Sequence, residues 1–253
     1  MEIKASDVAK LRQMTGSGMM DCKKALEEAN GDYERAQEII REKGKLVASK
    51  RADRETKEGA VMAKVSDDGT KGILVCLGCE TDFVAKTAGF QALANQIATA
   101  ALAHLPADVA ALMDIKVGDF TVSDLISQQT GKTGEKHQVP CYEKLEAAQL
   151  VPYNHMTGKD SALVAFSKAV DLQVGKDIAM QVTAMKPVSV SKADCPPTVV
   201  EKELQIAREQ MKLDPKLANK PANMLEGIAQ GKLNKFFKDS TLLAQDFIKD
   251  GAL

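Results

Sequence analysis

Apolar residues recur at helical spacing through the first 44 positions. Val8, Leu11 and Met14 predict a helix with Ser6 as its N-cap, because a serine hydroxyl can accept from an unpaired first-turn N–H. Thr15-Gly16-Ser17-Gly18 breaks that helix. Cys22, Ala25, Leu26 and Ala29 mark a second one, which Asn30-Gly31 ends, both residues tolerating positive φ. Asp32 caps a third, with Ala36, Ile39 and Ile40 inward and Gly44 as its stop. Three such helices make a minimal bundle with a very small core. From Arg41 to Lys57 basic residues outnumber acids, which reads as a solvated helix extension or linker; a weak contact with RNA or an acidic partner is the alternative.

The period then changes from helical to two. Val61, Ala63 and Val65 alternate, Asp67-Asp68-Gly69-Thr70 turns the chain, and Ile73, Val75 and Leu77 alternate on the return, which predicts a hairpin. Asp82 is placed to cap one long helix carrying Phe90, Leu93, Ile97 and Ala101. A similar order recurs further on. Leu145 to Met156 reads as a strand, Thr157-Gly158-Lys159-Asp160 as a turn, and Leu163 to Phe166 as a well-buried strand. A helix with Ile178, Val182 and Met185 follows, stopped by Pro187. Hairpin-then-helix twice predicts an α+β chain with two related subdomains. The end is helical. Pro196-Pro197-Thr198 opens a helix that stops near Asp214-Pro215, and a second runs from Pro221 to Phe237. Gly227 and Gly231, one turn apart, allow a close backbone approach there.

Charge and composition narrow the function classes. The 34 basic and 35 acidic side chains leave a net charge of -1, which argues against a general nucleic-acid coat and against DNA as a partner. The N-terminus has no signal-like apolar run, and no stretch reaches the roughly 20 apolar residues of a membrane helix. The expectation is a cytoplasmic protein with no membrane partner. Five cysteines in 253 residues read as reduced thiols. Aromatics make up 4% and Trp is absent, so no stacking platform for single strands is in view.

Candidate chemistry is sparse. Cys76-Leu77-Gly78-Cys79 spans a predicted strand end, where i and i+3 face opposite ways, and a redox pair belongs at a helix N-terminus; the pair reads as structural thiols. A thiol oxidoreductase remains the competing reading. His104, His137 and His155 form no metal-type pair. No phosphate-binding loop is present, and Gly131-Lys132-Thr133-Gly134 reads only as a turn. These observations imply no cofactor, no metal, no direct nucleotide binding and no enzymatic activity. One segment stands out. Phe83 sits at a predicted strand-to-helix junction, either as a core aromatic stapling helix to sheet or as a projecting anchor beside a carboxylate.

Met14 to Leu26, with its Thr15-Gly16-Ser17-Gly18-Met19-Met20-Asp21-Cys22-Lys23-Lys24 run, resembles the N-terminal signature of the elongation factor Ts family. Thr81-Asp82-Phe83-Val84-Ala85-Lys86, followed by Gly89-Phe90, resembles its second signature. Gly131 to Lys136, Tyr153 to His155, Asp177 to Met180 with Lys186-Pro187, and Val199 to Glu203 are similar too, in the family's order along nearly the whole chain. The resemblance implies a ubiquitin-associated-like three-helix domain with a basic linker over 1–55. A core of two subdomains, 56–140 and 141–253, each an antiparallel sheet packed with helices, would follow. It also implies a guanine-nucleotide exchange factor for elongation factor Tu, bound in its GDP-loaded and nucleotide-free forms, during translation elongation. Arg12, Met19 and Met20 would dock on the partner's GTPase domain, with His155 touching it from the second subdomain. Thr81, Asp82, Phe83 and Val84 would form the element that dislodges the partner's Mg²⁺, with Phe83 as the wedge. The chain departs from the fuller pattern: it lacks the long coiled-coil hairpin of some members, the helix of Gly227 and Gly231 is longer, and the family continues past Leu253 with a helix and a closing strand that would complete the second sheet. An adaptor whose bundle binds ubiquitin-like folds or nascent peptides is the alternative, and homodimerisation is left open.

Overall fold

The computed structural model describes residues 3–214, 217 and 221–250. They are mixed helix and antiparallel sheet, an α+β arrangement, in two compact units that divide after Gly175.

The first unit opens with α1 (Ala5–Thr15), α2 (Met19–Glu28) and α3 (Tyr33–Lys50). Val8, Leu11, Cys22, Ala25, Leu26, Ala36 and Ile40 form their common core. Ser6 is inside α1, not at its cap; Lys4 holds that place, because the Asp7 carboxylate reaches back to accept from its N–H at 3.1 Å. Asn30 and Gly31 take positive φ, and Asp32 accepts from the N–H groups of Glu34 and Arg35, as their side chains predict.

Gly44 does not stop α3. The helix runs on to Lys50, and Gly44 is buried inside it.

Next come β1 (Glu58–Val65) and β2 (Lys71–Cys79), then a single turn α4 (Asp82–Ala85) and the long α5 (Ala88–His104). Asp82 caps nothing. Thr81 caps α4 and Thr87 caps α5, so the expected single helix is two. α6 (Val109–Met113), the minimal hairpin β3 (Lys116–Val117) and β4 (Phe120–Thr121), and α7 (Val122–Thr133) follow. Gly131, Lys132 and Thr133 lie in α7 instead of a turn, and Gly134 is its left-handed C-cap.

The reason for both misplaced glycines is one contact. A Cβ on Gly44 would fall 2.2 Å from the carbonyl oxygen of Ser127, and one on Gly131 would fall 3.1 Å from the Cα of Gly44. α3 and α7 cross backbone to backbone, so glycine serves close approach at a point where local propensity alone disfavours it.

β5 (Gln138–Glu146) completes a sheet ordered β1-β2-β5, all antiparallel. Phe90, Leu93, Ala94, Ile97 and Ala101 of α5 are buried with Ala60, Ile73, Val75 and Leu77 of the sheet. β6 (Gln149–Asn154) and β7 (Ser161–Phe166) form a separate hairpin, so the strand expected over 145–156 is interrupted. β7 is less buried than its composition suggests, with only Ala162 fully covered. This hairpin follows the outer edge of β1. The Asn154 side chain stands in for a strand, accepting from the N–H of Ala63 at 2.8 Å and donating to its carbonyl at 3.0 Å.

α8 (Leu172–Met185) leads to the second unit. There α9 (Pro197–Lys212) and α10 (Ala222–Ser240) form an antiparallel hairpin over Cys195, Val200, Leu204, Leu233 and Phe237. A Cβ added at Gly227 or Gly231 would meet nothing within 4 Å, so the close approach expected of them is absent. Pro215 and Gly251 to Leu253 lie outside the described residues.

Candidate functional site

The site is built where β2 hands over to α4. Cys79 ends the strand in full burial, and its thiol donates to the Thr81 carbonyl at 3.2 Å. Glu80 and Thr81 then cross to α4 with their backbone N–H groups both donating to one oxygen of Glu135, at 3.2 and 3.0 Å. The Thr81 hydroxyl donates to the other oxygen of Glu135 at 2.6 Å and accepts from the N–H of Val84. One carboxylate thus satisfies three donors of the crossover and sets the conformation from which α4 starts.

Within α4 the four side chains diverge. Ala85 is buried and Val84 packs on the sheet core. Asp82 pairs with Lys86 at 2.6 Å, and that hydrogen bond holds its carboxyl below the usual carboxylate range. Phe83 is 82% exposed. Leaving a phenyl ring in water forgoes about 1.5–3 kcal/mol of burial. The core-staple reading of Phe83 is therefore overturned; Phe90, at 0% exposure, is the aromatic that staples helix to sheet.

Two further clusters lie in the same unit. Arg12, Met19 and Met20 are all exposed, on α1 and the start of α2, with Met14 exposed beside them. Lys132 links that loop to the first turn of α5: its amine is 2.8 Å from where a Gly16 Cβ would stand and 3.4 Å from that of Gly89. His155 is half-buried at the start of the β6–β7 turn, its Nδ1 3.2 Å from the Tyr153 hydroxyl. Met156 follows it at 94% exposure. Lys159, from the far side of that turn, pairs with Glu58 at 2.5 Å and is close enough to Asp82 for each to favour the other's charge. The turn and α4 are therefore neighbours.

The cysteines do not form a reactive centre. Cys76 and Cys79 are both pushed up to about 11, chiefly by burial, where a nucleophilic thiolate needs the opposite shift. Cys76 faces Cys141 across the β2–β5 ladder and not Cys79. His137 is buried against Phe90, and burial lowers its pKa. No helix among the described residues is long and apolar enough to cross a membrane.

The part that Glu80, Glu135, Arg51 and Lys136 play in holding the crossover carries no local sequence signal. Their partners are 29 to 84 residues away along the chain.

Comparison with known proteins places the sequence in a family. A family model described as elongation factor TS matches residues 80–253. The chain is 47% identical over 256 residues to the elongation factor Ts of Amoebophilus asiaticus, covering 100% of this chain and 91% of the relative. It is 46% identical to that of Porphyromonas gingivalis, covering 100% and 90%. The protein of the same name from Flavobacterium psychrophilum is 41% identical, with 99% and 90% covered.

Proposed function

This chain belongs to the elongation factor Ts family, and from that premise we propose that it acts in the cytoplasm as the exchange factor that empties the nucleotide site of the GTPase elongation factor Tu. The observation that carries the reading is Phe83, a large aromatic held out in solvent on a one-turn helix whose Val84 and Ala85 pack against the sheet core. Exposed aromatics on rigid supports are the residues that dominate protein interfaces.

In this reading residues 1–55 are the docking module. Arg12 supplies charge and Met19 and Met20 an adaptable apolar contact, the thioether chain suiting a surface that must fit another protein. Residues 56–140 carry the wedge, and His155 adds a contact from 141–253. Phe83 enters between two elements of the partner, with Asp82, Thr81 and Val84 fixing its direction. The displaced elements release the Mg²⁺ that bridges the phosphates in such GTPases, and GDP loses its charge compensation. No bond is made or broken. The chain needs only to prefer the nucleotide-free partner, and GDP must weaken its binding by the same factor by which it weakens GDP.

The test is release of fluorescent GDP from elongation factor Tu into an excess of unlabelled GTP, which frees the chain for further rounds, followed by stopped flow with the chain at substoichiometric amounts. Release of the whole GDP pool at an accelerated rate is expected, since one molecule serves many partners. Release at the spontaneous rate overturns the proposal.

A further inference from the structure

The crossover that holds Phe83 is also tied to the bundle. Arg51, the C-cap of α3, donates to both oxygens of Glu80 at 2.8 Å. Glu80 also accepts from the backbone N–H of Lys136 at 2.7 Å. The Lys136 amine reaches back to the carbonyls of Ala52 and Arg54, at 2.7 and 3.0 Å, just past the end of α3. Glu135, next in the chain, takes the three donors of the crossover. Behind these side chains α3 and α7 touch through Gly44 and Gly131. Two carboxylates therefore join three segments: the end of α3, the start of α4, and the link from α7 to β5.

An ordinary surface ion pair contributes little, because two mobile side chains must be ordered in water. This one differs in geometry. One Arg51 nitrogen, Nη1, is shared between both Glu80 oxygens, the Glu80 side chain is only 15% exposed, and backbone N–H groups complete both carboxylates. Burial raises the Glu80 pKa, but the Lys136 N–H and the Arg51 guanidinium outweigh it and leave the group below its ordinary range, so it is charged at neutral pH. Such a network orders backbone more than it adds net stability.

Resting on the exchange reading above, we infer that Glu80 and Glu135 are positioning residues that make the bundle and α4 one rigid lever, so that docking through α1 and α2 is delivered at Phe83. A wedge on a loose tether would bind and swing aside. A wedge fixed to the docking module transmits the displacement. The carboxylates act through Phe83 and touch no partner atom.

The test has two arms on the full chain. In the first, amide hydrogen exchange is measured over residues 80–84 without any partner. Glu135→Ala, or Arg51→Ala if the former does not fold, is expected to speed exchange at Glu80 and Thr81 on the order of tenfold, since their acceptor is lost or loosened. In the second, GDP release from elongation factor Tu is titrated with each variant. The maximal rate is expected to fall about tenfold while the half-saturating concentration stays within about twofold, the signature of lost preorganisation in a complex that still docks. In the Phe83→Ala background the same substitution should add less than about a twofold loss, because its effect runs through that ring. An unchanged maximal rate in the single variant overturns the inference even if amide exchange has risen. So does a loss confined to half-saturation, or an undiminished loss in the Phe83→Ala background. Wild-type chain that fails to accelerate release defeats the exchange reading and this inference with it. Acceleration by wild type with indifferent variants defeats this inference alone.

Discussion

Phe83 and Phe90 are seven residues apart, two turns of an α-helix, and in one continuous helix they would share a face. They end at opposite extremes, Phe83 82% exposed and Phe90 0%. Thr87 is the difference. It takes an extended conformation between α4 and α5, accepting from the Phe90 N–H and donating to the Val84 carbonyl at 2.8 Å. That one residue rotates the first turn away from the helix that follows. Its side chain caps α5, while Thr81 caps α4. A ring that one continuous helix would turn to the core is thereby released to the surface. Burial energy is collected by Phe90, and Phe83 is free for work on a partner.

The largest effect should come from the buried ring. Phe90→Ala removes a fully enclosed side chain at the centre of the sheet–helix core and is expected to cost about 3–5 kcal/mol in denaturant unfolding. A cost below about 1 kcal/mol would mean that the two rings are not in the contrasting environments described.

Gly44→Ala comes next. The added methyl meets the Ser127 carbonyl, a backbone atom that cannot yield cheaply, and overpacking there should cost about 1–3 kcal/mol even though alanine is the better helix former. Gly227→Ala, inside α10 with open space around it, should instead stabilise by about 0.5–1 kcal/mol. Equal signs at the two sites would contradict the α3–α7 crossing.

Alkaline pH probes the strand that feeds the site. Cys76 and Cys79 are raised from 9.0 to about 11, so between those values the unfolded thiols give up protons that the folded ones keep. The folded state binds more protons there, and stability must fall as pH rises through that window and be fully present below it. Replacing both thiols with serine should flatten the slope between pH 9 and 11, read from urea midpoints.

Thr87→Ala should cost about 1 kcal/mol, the usual loss of a cap, and should speed amide exchange at Phe90. It should also lower exchange activity, because the break that points Phe83 outward loses its two hydrogen bonds.

Most of the local structure was legible. Asn30-Gly31, the Asp32 cap and the Asp67–Thr70 turn announce themselves by residue type, and each is where it is expected. The two misread glycines share a cause. Gly44 reads as a stop and Gly131 as a turn only while the other is out of sight; together they are a helix crossing. β5 escapes notice because its buried residues, Val139 and Tyr142, are three apart. Its pairing slips between Cys76–Cys141 and Gly78–Gln138, where β5 carries an extra residue and the alternation is lost. The signature around Phe83 was visible as a resemblance, but its exposure depends on Thr87, whose competence as a second cap the helical pattern concealed. Gly131 to Lys136 was visible as a resemblance, but the positioning role of Glu135 and Glu80 was not legible, since their partners come from distant segments.

On this reading Phe83 contributes to function and not to the fold. The direct measurement is Phe83→Ala, assayed on one preparation for unfolding free energy and for the maximal rate of GDP release from elongation factor Tu. Stability within about 0.5 kcal/mol of wild type is expected, as for any exposed site, together with a release rate lowered by at least about tenfold. A variant that releases GDP as fast as wild type, or one that loses release only because it unfolds, would rule out a wedge at Phe83.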